Sequence, residues 1–283
     1  MRISIRMRRF IFFISLLLLT KSGNTQVFRT YSEVGVFAGG ASYIGELNPG
    51  QPLYMLRPAV GLLYRYNTSP RFAWRFMLNG SRIEASDAMA GVGYQEERNL
   101  SFRSNIYELG TLLEFNYFPF EAGEMSYIAT PYMLLGLSGF YHNPKALFYN
   151  EWVELQPLHT EGQGSVQYRD RKAYSKIQAA IPFGFGVRLN IFPRITLSAE
   201  WMMRKTFTDY LDDVSTTFVD PDLLVASNGA YAALLADRST TEPGVSNVNM
   251  QRGNLSNKDW FSTIGLMLTF RFSSRKPGCA AYQ

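Results

Sequence analysis

The sequence predicts an all-β fold, an eight-stranded antiparallel transmembrane β-barrel with long extracellular loops and short periplasmic turns. Eight segments alternate apolar and polar side chains with a period of two, as strands do when their two faces meet different environments. No run of roughly 18 or more apolar residues follows the N-terminal segment, which excludes a helical membrane protein. Short and long connections alternate along the chain, as in bacterial outer-membrane barrels.

The clearest alternation lies between Ile177 and Phe207 and predicts two strands joined by a tight turn. The first arm places aliphatic and aromatic side chains on one face, and small or polar ones such as Gly184, Gly186 and Arg188 on the other. After Phe192-Pro193-Arg194 the second arm repeats the pattern. Each arm has about thirteen residues, which is long enough to cross a bilayer at a tilt. The hairpin is therefore typical of a membrane barrel.

Six further segments complete the barrel. Most of them set a continuous apolar face against a face of glycines and polar residues. The fifth strand is the least regular, because Tyr132 and Leu134 must lie inside if Met133 and Leu135 face outward. The predicted strands outside the hairpin are Tyr31 to Tyr43, Arg57 to Tyr66, Arg71 to Ile83, Tyr107 to Tyr117, about Ala129 to Tyr141, and Asp259 to Phe272.

The connection lengths predict the orientation in the membrane. The links after the second, fourth and sixth strands have roughly three to ten residues, whereas the others reach about fifty. In bacterial barrels the short turns face the periplasm, so an outer-membrane location with both termini in the periplasm is expected. An even number of strands also closes the sheet and leaves no unpaired backbone edge in lipid.

The N-terminus predicts a secretory signal peptide over residues 1–25. Four arginines precede an apolar stretch, Phe10 to Leu19, that is too short to span a membrane as a helix. Five of the 28 Lys and Arg residues lie in this segment, which has no Asp or Glu, so the remaining 23 balance the 23 acidic residues. The alkaline pI of the whole chain therefore gives no reason to expect nucleic acid. Residues 26–272 are expected to form the barrel and residues 273–283 a periplasmic tail.

Charged side chains are expected on the inward face of the strands. An eight-stranded barrel is only wide enough for its own side chains, so charges of nearly balanced sign predict a lumen filled by ion pairs. A path for protons or ions is the alternative. The nine residues are Glu33, Arg65, Arg75, Glu108, Glu114, Arg188, Glu200, Arg204 and Arg271.

No catalytic site or cofactor is expected. His142 and His159 lie at or beyond the outer end of the fifth strand, and spacing places no serine and carboxylate beside either of them. The single cysteine, Cys279, is expected on the opposite side of the membrane, where it cannot share a metal with these histidines. An enzyme acting on lipid is kept as a third alternative.

The last long loop holds the one metal candidate. Asp209, Asp212 and Asp213 offer the oxygens that calcium prefers, but their spacing matches no EF-hand or calcium-binding repeat. Solvated surface acids are the default interpretation. Further along this loop, the apolar stretch from Asp222 to Asp237 is interrupted at Asn228-Gly229 and predicts two short helices over the barrel mouth.

The C-terminal region combines an insertion signal with a candidate partner surface. Phe270 and Phe272 end the last strand with the aromatic residues expected of a barrel insertion signal. The tail beyond them, together with the turn after the fourth strand, is the main surface that a periplasmic protein could hold. The thiol of Cys279 is either spare or disulfide-bonded to a partner chain. The predicted partner contacts are Pro119, Phe120, Glu121, Arg275, Lys276 and Cys279.

Several segments carry a family resemblance. They are Gly35 to Gly40 (GVFAGG), Gly45 to Asn48 (GELN), Phe140 to Ala146 (FYHNPKA), Leu155 to Gly164 (LQPLHTEGQG), Thr208 to Ser215 (TDYLDDVS) and Asn257 to Trp260 (NKDW). Together they resemble the PorG-like outer-membrane β-barrel family, a component of the Bacteroidetes type IX secretion system. The resemblance covers nearly all of the mature chain, and no catalytic or ligand residue is transferred by it.

The resemblance implies a non-enzymatic role in protein secretion and gliding. Members of the family are taken to anchor or organise, from the outer membrane, a periplasmic ring built by a lipoprotein and its soluble partner. The alternative is a surface-recognition or adhesin-type barrel whose long loops bind external ligands. The sequence leaves open the cargo, the copy number in the complex, the bonding of Cys279 and calcium binding by the acidic loop.

Overall fold

Nine β-strands lie in the part of the chain that the computed structural model describes, residues 28–89, 93–124, 126–239 and 245–272. The predicted signal peptide (1–25) and periplasmic tail (273–283) lie outside these ranges. The strands are β1 Tyr31–Ile44, β2 Arg57–Asn67, β3 Phe72–Ser86, β4 Ser101–Asn116, β5 Ala129–Phe148, β6 Glu151–Glu154, β7 Ile177–Phe192, β8 Ile195–Thr206 and β9 Trp260–Arg271.

Eight of these strands form a closed antiparallel barrel. Each pairs with its neighbour along the chain, and the circle closes where β1 pairs with β9 from Glu33↔Arg271 to Ile44↔Trp260. The short β6 is not part of the wall, since it pairs only with the last four residues of β5. Closure leaves no unpaired wall strand, as lipid requires. The predicted eight-stranded fold is confirmed.

The barrel wall is apolar on the outside and polar on the inside. Outward side chains such as Leu109 and Leu137 are 67% and 65% exposed, whereas their inward neighbours Leu112 and Leu134 are buried. The fifth strand follows the expected alternation, with Tyr132 and Leu134 inside. A continuous exposed apolar band on a closed sheet identifies a membrane-spanning barrel, because exposure of so large an apolar surface to water is unfavourable.

Two strands extend further than the apolar alternation predicts. β4 begins at Ser101 and β5 continues to Phe148, and the two remain paired as far as Arg103↔Lys145. Most outward side chains of these extensions, such as Arg103, Asn105 and Lys145, are polar, because this part of the wall lies beyond the apolar band, although Leu147 is apolar and exposed. A search for apolar outward faces therefore detects only the membrane-embedded part of each strand.

The two ends of the barrel differ in length and structure. The turn end, as we call it, carries the short connections 68–71, 117–128 and 193–194, and the loop end carries 45–56, 87–100, 149–176 and 207–259. At the turn end, segment 117–128 folds under the barrel. Phe120 and Ala122 pack against Tyr31, and the Asn190 amide donates hydrogen bonds to the carbonyls of Glu121 and Tyr127. The turn end is therefore closed by its own chain.

The loop end is covered by helices and by a hydrophobic core that continues out of the barrel. Helix α1 is Gly93–Arg98, α2 is Pro221–Asn228 and α3 is Ala230–Ala236, with short 3₁₀ turns at Asp87–Met89 and Gln156–Leu158. The chain breaks between α2 and α3 at Gly229, whose φ is 87°. This is the pair of helices that the apolar stretch predicts. None of the helices in the described ranges has the length and apolar character needed to cross a bilayer.

Gly123 provides a test of the closed turn end. Its φ is 83°, and a Cβ at this position would overlap the carbonyl oxygen of Pro193 in the neighbouring turn. We expect Gly123→Ala to destabilise the barrel by at least about 1 kcal/mol, because alanine is strained in this conformation and the turn must move away. The midpoint of urea unfolding of the refolded barrel measures this loss of stability. Gly50→Ala is the control, since a Cβ at Gly50 meets nothing within 4 Å. Equal midpoints for the two variants would contradict the prediction.

Candidate functional site

Glu114 lies at the centre of the ion pairs that fill the lumen. Its Oε2 lies 2.8 Å from Nε of Arg65, and its carboxylate also pairs with Arg75 and Arg188. All four side chains are buried. Arg65 and Arg75 face each other on β2 and β3, so their like charges would repel without the carboxylate that β4 inserts beside them.

Two further glutamates balance these three arginines. Glu33 accepts from Arg65 at 2.8 Å, and Glu200 pairs with Arg75 at 2.7 Å. The Tyr132 hydroxyl donates to Glu200 at 2.7 Å, and the Arg188 guanidinium lies over the Tyr132 ring. Three glutamates thus neutralise three arginines within the barrel, which is the condition for burying so many charges.

A separate pair lies nearer the loop end. Nη2 of Arg204 lies 3.0 Å from the Glu108 carboxylate, and the same guanidinium lies over the Phe261 ring. At the turn end, Arg271 pairs with Glu121 at 3.1 Å. All nine residues predicted to face the lumen therefore lie on the inner face of the wall, and each of them forms an ion pair.

The inward side chains of the described barrel are buried and fill its lumen. Between the two layers of ion pairs, next to Arg75, Met77 and Glu200, lies a cavity of about 10 Å³. A space of this size holds about one water molecule. The lumen of the described barrel is therefore a packed interior.

The histidines are not arranged for catalysis. His142 is buried between Phe140 and Tyr174, and its Nε2 lies 3.2 Å from the carbonyl oxygen of Ser175, its one hydrogen-bond partner within the described ranges. His159 adopts a left-handed backbone conformation after a 3₁₀ turn. No nucleophile and carboxylate meet at either ring in this part of the chain, as a hydrolytic triad would require.

The acidic start of the 207–259 loop is buried, and the default interpretation of solvated surface acids is wrong. The Asp213 carboxylate accepts hydrogen bonds from Thr160 at 2.5 Å and from Tyr174 at 2.7 Å, whereas Asp209 accepts from Ser215. The Asp212 carboxylate accepts from a third group, the Tyr43 hydroxyl. The three aspartates are therefore each used to fix the loop, and they do not converge on one point.

Asp212 instead meets two carboxylates from distant parts of the chain. One oxygen each from Glu46, Asp212 and Asp259 lies within 4.8 Å of the others, and the Tyr43 hydroxyl lies 2.6 Å from Asp212 and 2.7 Å from Asp259. These three are the described residues that could hold a cation together. Local spacing gives no signal for the group, because Glu46 lies in the loop after β1, whereas Asp212 and Asp259 lie near opposite ends of the 207–259 loop.

Burial and mutual repulsion favour protons in this carboxylate cluster. Burial, followed by the charge of Asp209, raises the pKa of Glu46 to about 7. Burial and the neighbouring carboxylates also raise the pKa values of Asp212 and Asp259 well above the usual range. The single proton of Tyr43 cannot serve both aspartates fully, so a proton on one of the carboxylates completes the hydrogen bonding.

A second buried group ties the long loops together. The Glu161 carboxylate accepts from the backbone amides of Ser215 and Thr216 and pairs with Arg252 at 2.8 Å. Arg98 of α1 pairs with Asp87 and donates to the carbonyl of Arg252. The loop end is thus a folded cap that is cross-linked by buried charges.

The predicted partner contacts fall into three groups. Phe120 is buried under the barrel, so its side chain is not presented at the surface as predicted, because it packs against Tyr31 and Arg188. Pro119 and Glu121 are partly exposed. Arg275, Lys276 and Cys279 lie outside the described ranges. Of the predicted insertion signal, Phe270 and Phe272 are both exposed at the turn end.

A family model covers most of the chain. It is described as a domain of unknown function, DUF6089, and it matches residues 8–228. The chain belongs to the DUF6089 family. No curated protein matches the DUF6089 chain significantly.

Solved structures resemble the barrel at low sequence identity. Neisserial surface protein A shares 10% identity and a TM-score of 0.42, and the match covers 87% of this chain and all of that one. The attachment invasion locus protein Ail of Yersinia pestis shares 10% identity and a TM-score of 0.40, with the same coverage. The outer membrane protein OprG of Pseudomonas aeruginosa shares 11% identity and a TM-score of 0.33, and the match covers 85% of this chain and 94% of that one. Neither the family description nor these structures concerns type IX secretion.

Glu114 provides a test of the lumen. We expect Glu114→Gln to destabilise the barrel by about 3–5 kcal/mol, because three buried arginines lose the carboxylate that they share. Urea unfolding in detergent measures the change. The control is Glu84→Gln, which removes a carboxylate shared by Arg57 and Arg103 on the partly exposed outer wall and should cost about 1 kcal/mol or less. A loss for Glu114→Gln no larger than that of the control would contradict a network that depends on Glu114.

The carboxylate cluster predicts that the cap loosens as pH rises. These carboxyl groups have higher pKa values in the folded protein than in the unfolded chain. Their contribution to the stability of the fold is therefore fully present below the unfolded pKa of about 4, and it is lost as the pH rises through the folded pKa, which is about 7 for Glu46. The amides of Leu211 and Val214 donate to Asp259 and Asp212, and their hydrogen exchange reports the loosening. After correction for the intrinsic rate, we expect exchange to accelerate by up to about tenfold per pH unit.

Asp212→Asn separates this effect from a general effect of pH. The amide keeps the hydrogen-bonding shape without a charge, so the pH dependence of exchange should become weaker. Asp222→Asn, an exposed acid of the same loop, should leave it unchanged. Exchange that slows with rising pH, or an unaltered slope in Asp212→Asn, would refute the protonated cluster.

Proposed function

We propose that this protein is a non-enzymatic outer-membrane barrel that anchors a protein complex. The observation that carries the proposal is the closed lumen, in which three arginines and three glutamates neutralise each other around Glu114. A barrel without a passage and without a catalytic arrangement in its described residues acts through what binds to its surfaces. The apolar outer wall fixes it in the membrane, and the two ends remain for partners.

The proposed complex is the periplasmic ring of the type IX protein secretion and gliding machinery. The support is the resemblance of the loop motifs to the PorG-like family. In the fold, three of those motifs meet: the Glu161 carboxylate of LQPLHTEGQG accepts from the Ser215 amide of TDYLDDVS, and Asp259 of NKDW lies beside Asp212. The shared motifs therefore build one cap, which is a reason for such widely spaced segments to occur together. The partners are a ring lipoprotein and its soluble companion.

The turn end and the tail are the proposed contact surface. Pro119 and Glu121 remain partly exposed there, whereas Phe120 is used internally, so the tail from 273 to 283 carries more of the proposed contact than the turn does. Arg71 and Arg194 are exposed beside them. This end would therefore present positive charge to a partner.

Recognition of external ligands is the second candidate, and one observation favours it. The β5–β6 hairpin and α3 place an aromatic group on the outside of the cap. Tyr149 is 88% exposed and Tyr231 is 57% exposed, and the Phe148 ring between them lies 4.5 Å from one ring and 5.4 Å from the other. Exposed tyrosines on a rigid support are typical of binding surfaces.

A pull-down of the tagged protein from outer membranes in mild detergent distinguishes the two functions. Under the anchor proposal, mass spectrometry recovers the ring lipoprotein and its soluble partner, and deletion of residues 273–283 reduces their recovery by tenfold or so while the barrel still inserts. A second variant, Tyr149→Ser with Tyr231→Ser, should leave recovery unchanged. This pair is a better probe of the loop end than trimming the 207–259 loop, because the first part of that loop, residues 209–215, is largely buried in the cap and a deletion there would disrupt it.

The opposite pattern would support ligand recognition instead. Recovery of the barrel alone, or full recovery after deletion of the tail, contradicts the proposed contact surface. Comparison of reducing and non-reducing gels shows in addition whether Cys279 forms a disulfide with a partner.

A further inference from the structure

A surface cavity of about 430 Å³ lies on the outer wall at the loop end, where β8 meets β9. Two lysines, two small polar side chains, one carboxylate and one indole ring line it. They are Lys205, Lys258, Ser256, Asn257, Glu46 and Trp260. The cavity is separate from the lumen network, and neither the anchor nor the recognition proposal uses it.

The two lysines give this cavity its positive charge. Both are exposed, and neither forms an ion pair with any residue in the described ranges. Nζ of Lys258 donates to the carbonyl of Leu255 at 3.0 Å, and Nζ of Lys205 lies 5.8 Å from the centre of the Trp260 ring. The Glu46 carboxylate is turned towards the buried cluster and the Asn254 amide, so it leaves the ammonium groups open to a ligand.

The cavity lies at the border of the apolar band. Lys205 and Trp260 are opposite each other in the β8–β9 ladder, and two steps further into the wall the facing pair is Met203 and Ser262, followed by Trp201 and Ile264. Leu266, deeper still, is exposed on the outer wall. The Trp260 ring packs edge-on against Phe183 of β7. A tryptophan beside lysines at this level is typical of the headgroup region of a membrane.

Four other cations of the same rim are engaged by acids. Arg57 and Arg103 share Glu84, and Lys145 and Lys176 share Glu154. The cavity is therefore a place where two cations stand together, next to lipid, without an acid of their own on the outer face.

We propose that this cavity binds the phosphorylated headgroup of an anionic membrane lipid in the leaflet at the loop end. Lys205 and Lys258 contact the phosphate, and Ser256 and Asn257 donate hydrogen bonds to the sugar or glycerol hydroxyls. The acyl chains then lie along the outer wall of β7, β8 and β9. Anionic headgroups attract lysines near a membrane surface, and each such lysine contributes a similar amount of binding free energy.

Native mass spectrometry of the detergent-solubilised protein with diphosphoryl lipid A tests the proposal. We expect one lipid to be retained by the wild-type chain and the affinity of Lys205→Gln/Lys258→Gln to be lower by about tenfold or more. Arg82→Gln is the matched control, because Arg82 is an exposed cation at the same end on β3, across the barrel. Its affinity should equal that of the wild type.

Two further arms use the wild-type chain alone and do not depend on the folding of any variant. Lipid A from which the phosphates have been removed should bind at least about tenfold more weakly, since the lysines then lose their partner. Inorganic phosphate in excess should fail to displace the lipid, because the acyl chains supply part of the binding. Equal binding of the phosphate-free lipid, equal retention by the lysine variant, an equal loss in Arg82→Gln, or displacement by free phosphate would overturn the proposal.

Discussion

Closure of the sheet is the constraint on which the rest of this structure depends. In lipid every backbone N–H and C=O must be paired within the protein, and the pairing of β1 with β9 achieves this with eight strands. Eight strands enclose a space that only side chains can fill. The inward residues therefore decide whether the barrel is stable, and charges can be placed there only as a neutral set. The packed interior around Glu114 follows from this.

Buried ion pairs are an expensive way to fill a lumen, since desolvation offsets most of their attraction. Their geometry here gives them a second role, which is to fix how the strands meet. Glu114 of β4 contacts arginines from β2, β3 and β7, so it links strands on different sides of the barrel. Because a shift of one residue in any of these strands would turn its charge into lipid, the network favours a single register.

The sequence predicted the wall well because alternation is a local signal. It missed the outer parts of β4 and β5, where polar side chains such as Arg103 and Lys145 face outward and the regular apolar alternation has ended. It also missed the cluster of Glu46, Asp212 and Asp259 and the inward turn of Phe120, since these depend on which distant segments meet after folding. Composition suggested that the acids of the last loop are solvated, but the loop folds over the barrel and buries them. Tertiary contacts of this kind have no short-range pattern.

The two ends of the barrel carry different kinds of sequence information. The motifs that resemble the PorG-like family lie mainly in the cap, where Glu161, Asp213 and Arg252 hold three segments together. Residues of this kind are constrained by the fold. A resemblance in them therefore indicates a similar cap structure more directly than it indicates a common partner. A partner at the turn end would be recognised by other residues, in the tail and beside Pro119. For that reason the anchor proposal is decided by binding at the turn end, and the likeness of the loops cannot replace that measurement.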